Sequence, residues 1–305
     1  MQTLAEAVRP TTFLRPRKLR ESLGLDLTIA SETFQHTGSF KFRPAYSVAL
    51  SVEQEHLIAA SSGNFGQALA YACRLLGKRC HVVMPGNSAQ VKIDDVVSYG
   101  AVADLIDVSR IGREERVLQL MDDFPDAYRA SAYDDPLVID GNSTLGDEIA
   151  DFREVFDAVV VPVGGGGLIS GISKALCRAG HEAELIGAEP LLANDAARSL
   201  AAGRIISNES EPQTIADGAR TVSVGNHNWE IIKEGVSRIL EVPENAIIGA
   251  LRQYFILANL KVEPTGAVSL GSVLENKSLF EGRKVCLVVS GGNVDPAVYA
   301  RLIEG

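Results

Sequence analysis

Ala158-Val159-Val160-Val161-Pro162-Val163-Gly164-Gly165-Gly166-Gly167-Leu168-Ile169-Ser170 passes from an unbroken apolar run into four glycines and then into a helical pattern. A run with no polar member suits a strand covered on both faces, the condition inside a parallel sheet. Glycines at its carboxyl end leave backbone N–H groups free at the start of the next helix. That is where open α/β sheets bind anions, phosphate above all. Glycine for close strand–helix packing explains one or two of these positions, but poorly explains four in a row.

Leu27–Ser31, Leu57–Ser61, His81–Met84, Glu184–Ala188 and Val285–Ser290 read as further strands. Helical patterns cover Phe65–Leu76, Ala89–Tyr99, Leu168–Ala179, Ala246–Leu260 and Ala267–Glu275. This alternation predicts an α/β chain with right-handed crossovers. Two more strands run into glycine turns expected to open helices, Ser61-Ser62-Gly63-Asn64-Phe65-Gly66 and Ser290-Gly291-Gly292-Asn293. Three such turns imply one shared ligand site.

The chain's 305 residues exceed the length at which single cores usually split, so two lobes are expected. With 29 basic against 39 acidic residues, net charge −10, a general nucleic-acid binder is excluded, since phosphate neutralisation needs clustered Lys and Arg. Apolar runs are strand-sized, so no membrane span is expected, and the first residues do not read as a signal peptide. Cys73, Cys80, Cys177 and Cys286 form no CxxC pair and stand in apolar surroundings. Buried free thiols in a reducing cytoplasm are expected, not a zinc site.

Lys41 lies in Thr37-Gly38-Ser39-Phe40-Lys41-Phe42-Arg43, at the start of a helical pattern. A lone lysine is ordinarily a solvated charge. Flanked by two phenylalanines and placed at the unfavourable end of a helix dipole, this one is instead a candidate for burial, a lowered pKa and Schiff-base chemistry. The glycine run alone also admits a nicotinamide dinucleotide, with Glu189 at the end of the next strand as the ribose-binding acid. However, Gly-x-Gly-x-x-Gly cannot be placed: the sixth position from Gly164 is Ile169 and from Gly165 is Ser170.

Together, Ser39-Phe40-Lys41, Ser61-Ser62-Gly63-Asn64, Gly164–Gly167, Glu263-Pro264-Thr265-Gly266 and Ser290-Gly291-Gly292-Asn293 resemble the fold-type II pyridoxal-phosphate enzymes. Within that group the likeness is to serine/threonine dehydratases and serine racemases, in the same order from about Thr11 to Asp295. Ala216-Asp217-Gly218 and Asp134-Asp135-Pro136 add to it. The resemblance implies two open α/β lobes with the cofactor between them. A small mobile lobe over 51–135 would be inserted into a large one made of 1–50 and 136–305.

The resemblance further implies that Lys41 holds pyridoxal 5'-phosphate covalently and serves as base at the substrate α-carbon. Phe40 would pack beside the ring, Asn64 would bond the ring hydroxyl, and Gly164, Gly165, Gly166 and Gly167 would cradle the phosphate. Gly218 would approach the ring face, Glu263 its edge, and Ser290 its nitrogen. Ser61, Ser62, Gly63 and Asn64 would hold the substrate carboxylate. A hydroxyl at the ring nitrogen, in place of a carboxylate, favours prompt loss of a β-substituent.

The implied reaction is therefore β-elimination from a β-hydroxy amino acid such as L-threonine or L-serine, giving a 2-oxo acid and ammonia. Amino-acid racemisation is the alternative, with Ser62 as a second acid/base opposite Lys41. Glu189, the Ala193 carbonyl and Asp195 resemble the cation loop of the racemases, and such oxygen donors suit Mg²⁺, Mn²⁺ or Ca²⁺. A homodimer is the family expectation. Three departures bear on the substrate: Phe65 stands where histidine is usual, Pro44 replaces glycine, and Asn142-Ser143-Thr144 replaces Gln-Gly-Thr.

Overall fold

The computed structural model describes residues 2–61, 63–88 and 90–304. Among them ten strands form two sheets. They are β1 (Thr12–Leu14), β2 (Asp26–Ser31), β3 (His56–Ala60), β4 (Arg79–Pro85), β5 (Val102–Ile106), β6 (Tyr128–Arg129), β7 (Ala158–Pro162), β8 (Glu184–Pro190), β9 (Arg238–Val242) and β10 (Lys284–Val289).

The larger sheet runs β1-β2-β10-β7-β8-β9, parallel throughout except for β1 against β2. In its centre Val285 lies opposite both Leu27 and Ala158. Side chains alternate between two cores, which explains the unbroken apolar run. Ala158 and Val160 join Leu27, Ile29, Val285 and Leu287 under the helices Glu244–Ala258 and Pro264–Glu275. Val159 and Val161 join Cys286, Val288 and Ile172, the last from the helix Gly167–Arg178. Each such fully buried valine contributes roughly 1.5–3 kcal/mol.

The smaller sheet runs β5-β4-β3-β6, all parallel. Leu57, Ala59, Val82 and Met84 face a core shared with the helices Phe42–Ser51 and Asn64–Leu76. Ile58, Val83 and Ile106 face Val117 and Leu120 of the helix Arg113–Asp123. The helix that follows Lys41 thus packs into the core of the smaller sheet, although it precedes that sheet in the chain.

Two expectations need correction. The turn after β10 does not open a helix, because Gly291 instead bridges Ser39 and the next helix begins at Pro296. Cys177 is exposed near the end of its helix, whereas Cys73, Cys80 and Cys286 are buried free thiols. No helix among the described residues is long and apolar enough to cross a membrane.

Candidate active site

Lys41 is the N-cap residue of the helix Phe42–Ser51. Its Nζ donates to the Ala132 carbonyl at 2.6 Å and lies 5.0 Å from the centre of the Phe40 ring and 5.7 Å from that of Phe65. Burial pushes the amine down from 10.5 to about 8, partly offset by the pull of Glu263. Two residues on, Arg43 anchors the same turn. Wholly buried, it donates to Glu32 at 2.8 and 3.0 Å, Glu148 at 2.8 Å, Thr144 at 3.0 Å and Thr11 at 2.9 Å.

The other two glycine turns converge beside Lys41. Ser61 Oγ accepts the N–H groups of Gly63 at 3.3 Å and Gly66 at 3.0 Å, so its hydroxyl is committed to the turn that starts the helix Asn64–Leu76. Asn64 then reaches across to the larger lobe. Its Nδ2 donates to both Glu263 oxygens, at 2.9 and 3.1 Å, and its Oδ1 accepts from Asn293 at 2.9 Å. Glu263 is buried, and that burial, with Asp217 adding, raises its carboxyl to about 8.

From the turn after β10, the Ser290 carbonyl accepts the Phe40 N–H at 2.9 Å. The Ser290 hydroxyl itself is buried without a hydrogen-bond partner. Gly218 N–H donates to Thr265 Oγ1 at 3.0 Å, tying the Ala216–Gly218 segment to the Glu263–Gly266 turn.

The four-glycine loop leads straight into the helix Gly167–Arg178. Gly166 adopts φ +94°, closed to ordinary side chains. A Cβ on Gly165 would fall 2.2 Å from the Tyr133 ring, so that ring lies directly against the loop. Two surface cavities, of about 530 Å³ beside Val102–Asp107 and about 620 Å³ beside Glu53–His56, hold none of these residues. The chemistry is concentrated where the two lobes meet.

The family model described as pyridoxal-phosphate dependent enzyme matches residues 4–291. The chain belongs to that family. It is 35% identical to an L-threo-3-hydroxyaspartate ammonia-lyase from Pseudomonas sp, over 97% of this chain and 93% of the relative. It is 33% identical to a serine racemase from Dictyostelium discoideum, over 97% and 93%. Among solved structures, a T.th. threonine deaminase superposes with TM-score 0.89 at 39% identity, covering 96% of this chain and 95% of that one.

The residues present fit pyridoxal phosphate. A buried amine with a lowered proton affinity, an unpartnered buried hydroxyl at Ser290 and a glycine loop at a helix N-terminus are the groups an aldehyde, a ring nitrogen and a phosphate call for. Family membership overturns the nicotinamide alternative. Glu189, the acid it relied on, is buried facing Asp195 and accepts the N–H groups of Ala196 at 3.1 Å and Ala197 at 2.9 Å.

Lys41, Phe40, Asn64, Glu263 and Ser290 are brought together, and the glycine loop joins them through the segment Ser131–Asp135, which supplies Ala132 to Lys41 and Tyr133 to Gly165. Ser62 lies outside the described residues. Glu189 and Asp195 form a separate buried pair with Ala193 beside them. Burial pushes the Asp195 carboxyl up to about 7, and its Oδ2 has no partner. Among the described residues no group of three or more His, Cys, Asp or Glu is arranged to hold a metal.

Sequence reasoning missed Ala132, Tyr133 and Asn293 as lining residues, whereas Phe65, singled out there as a departure bearing on the substrate, does stand beside Lys41. Ala132 acts through its carbonyl, which has no side-chain signature. Tyr133 directly precedes the Asp134-Asp135-Pro136 motif, and Asn293 closes a glycine turn already noted. Those two carried a signal.

Proposed function

We propose that the protein removes ammonia from a β-hydroxy amino acid by β-elimination, and that its substrate is a β-hydroxyaspartate. The observation that carries the reaction type is the Lys41 amine, enclosed between two phenyl rings where three glycine turns meet. The dicarboxylate class rests on likeness to the Pseudomonas ammonia-lyase.

Pyridoxal phosphate, when bound, draws electrons from the substrate α-carbon and makes its hydrogen acidic. Lys41 would hold the aldehyde, Gly164–Gly167 the phosphate, Ser290 the ring nitrogen and Asn64 the ring hydroxyl, with Phe40, Gly218 and Glu263 around the ring. Once the substrate amine has taken its place, Lys41 Nζ is free to accept the α-proton, and its lowered affinity for protons leaves a neutral fraction near neutral pH. Ser290 Oγ offers a hydrogen bond without holding a full positive charge opposite it. Burial favours the protonated form of Glu263, which limits the negative charge at the ring's edge. The N–H groups of the Ser61–Asn64 turn suit the substrate α-carboxylate. Loss of the β-hydroxyl as water leaves an enamine that tautomerises and hydrolyses. The water returns in hydrolysis, so the net products are a 2-oxo acid and ammonia.

Glu189, Ala193 and Asp195 would hold a divalent cation that stabilises the larger lobe; the partnerless Asp195 Oδ2 beside a second buried carboxylate supports this. The resemblance also supports a homodimer in the cytoplasm, with residues 51–135 closing over the substrate.

Purified protein loaded with pyridoxal phosphate is assayed with threonine, serine and 3-hydroxyaspartate stereoisomers for 2-oxo acid, ammonia and inversion. Keto acid formed fastest from a 3-hydroxyaspartate supports the reading, and none from any member overturns it. Inversion outpacing elimination transfers the assignment to the racemase alternative that the Dictyostelium relative favours. Magnesium, manganese or calcium should each raise the melting temperature of chelator-treated protein, and no shift with any of them removes the cation.

A further inference from the structure

The glycine loop is held from outside by residues that take no part in the chemistry above. Asn228 is wholly buried, and its Nδ2 donates to the Gly165 carbonyl at 2.8 Å and to the Tyr133 carbonyl at 3.0 Å. The Gly165 carbonyl also accepts the Gly225 N–H at 3.1 Å. The described peptide bonds are all trans. In a trans peptide, the carbonyl of Gly165 and the N–H of Gly166 point in opposite directions. Fixing that carbonyl toward Asn228 therefore turns the Gly166 N–H away from Asn228, free of the strand and available to an anion.

Asn228 is itself held. It lies in the first turn of the helix Asn226–Gly235. Asp134 caps that turn from a distant part of the chain, accepting the N–H groups of Asn226 at 2.9 Å, His227 at 2.9 Å and Asn228 at 3.4 Å. His227 Nδ1 stands 3.4 Å from the same carboxylate. The Asp134 carboxylate thus faces a helix N-terminus, whose partial positive charge offsets its own.

We propose that Asn228 and Asp134 are positioning residues for the cofactor phosphate: Asn228 sets the orientation of the Gly165–Gly166 peptide, and Asp134 fixes the helix that carries Asn228. Neither need touch the cofactor. This rests on the reading that Gly164–Gly167 receive the phosphate, and it adds that the strength of that grip is determined from behind the loop.

The test compares binding of pyridoxal 5'-phosphate and of pyridoxal, which lacks the phosphate, to cofactor-free protein. In N228L, similar in shape but without donors, the dissociation constant for the phosphorylated form should rise about tenfold, while that for pyridoxal changes less than about twofold. N228S, which retains a donor, should show a smaller rise. D134A should follow N228L, and D134N, which keeps an acceptor for the helix amides, should stay near the native ratio. Both constants rising together would assign Asn228 a general structural role and overturn the proposal, as would a native ratio in both N228L and D134A. Native protein with no preference for the phosphorylated form would fail differently, by removing the phosphate from the glycine loop.

Discussion

Lys41 combines two features that a surface lysine lacks, an enclosure of phenyl rings and a backbone carbonyl as its only described acceptor. Attack on the cofactor aldehyde requires the neutral amine. Because the amine's proton affinity is depressed to about 8, the neutral fraction rises steeply through that pH and is small below it. Cofactor-free protein should therefore take up pyridoxal phosphate faster as pH increases, levelling off above about 8, as followed by stopped-flow absorbance. A rate still climbing tenfold per unit beyond about pH 9.5 would show that burial does not lower the amine. At the same scale, Phe65 buries an apolar ring beside Lys41, where related enzymes are expected to carry histidine. The pocket wall is therefore less polar there, which leaves the turn's amides as the proposed site for the substrate carboxylate.

At the scale of elements, the start of the helix Phe42–Ser51 is set by charge. Arg43 and Glu32 are both buried and paired, with Glu148 as a second carboxylate on the same guanidinium. Arg43→Ala would leave Glu32 charged and unpaired, costing about 3–5 kcal/mol in denaturant unfolding. A loss below about 1 kcal/mol would mean that water replaces the guanidinium. The elements legible in the sequence are those this packing covers on both sides: β2, β3, β4, β7, β8 and β10 all carry apolar runs. The strands not marked out sit at edges or are short, and the buried helix Pro136–Ala150 is masked by its small and polar residues Gly141, Asn142, Ser143 and Gly146. The outer strands β5 and β9 bury only their last residues, Ile106 and Val242, β6 has two residues, and the helix Arg113–Asp123 buries only Val117 and Leu120. The site followed the same logic. Lys41, the glycine loop and Ser290 are chemically distinctive residues next to glycine turns. Ala132 and Asn228 act on or through backbone carbonyls, and only the fold brings them near.

At the scale of the molecule, two ion pairs among the described residues cross between the lobes, Lys92 with Asp217 at 3.0 Å and Arg113 with Glu211 at 2.9 Å. Asn64 adds neutral bridges to Glu263 and Asn293. Partly exposed pairs of this kind contribute little to global stability, roughly 0–1 kcal/mol each. Their proposed role is to hold the smaller lobe against the larger. Lys92→Met should leave the melting temperature within about 2 °C of native. Amide hydrogen exchange in the helix Gln90–Ser98 should rise severalfold. Unchanged exchange there would argue against a closing motion held by these contacts.

The reaction, the cofactor grip and the role of each turn all depend on where the cofactor is attached. Protein loaded with pyridoxal phosphate, reduced with borohydride and digested, should yield one peptide bearing a stable pyridoxyl-phosphate group, and fragmentation should place it on Lys41. A label on another lysine, or none on a protein that still turns over substrate, would contradict that attachment and everything built on it.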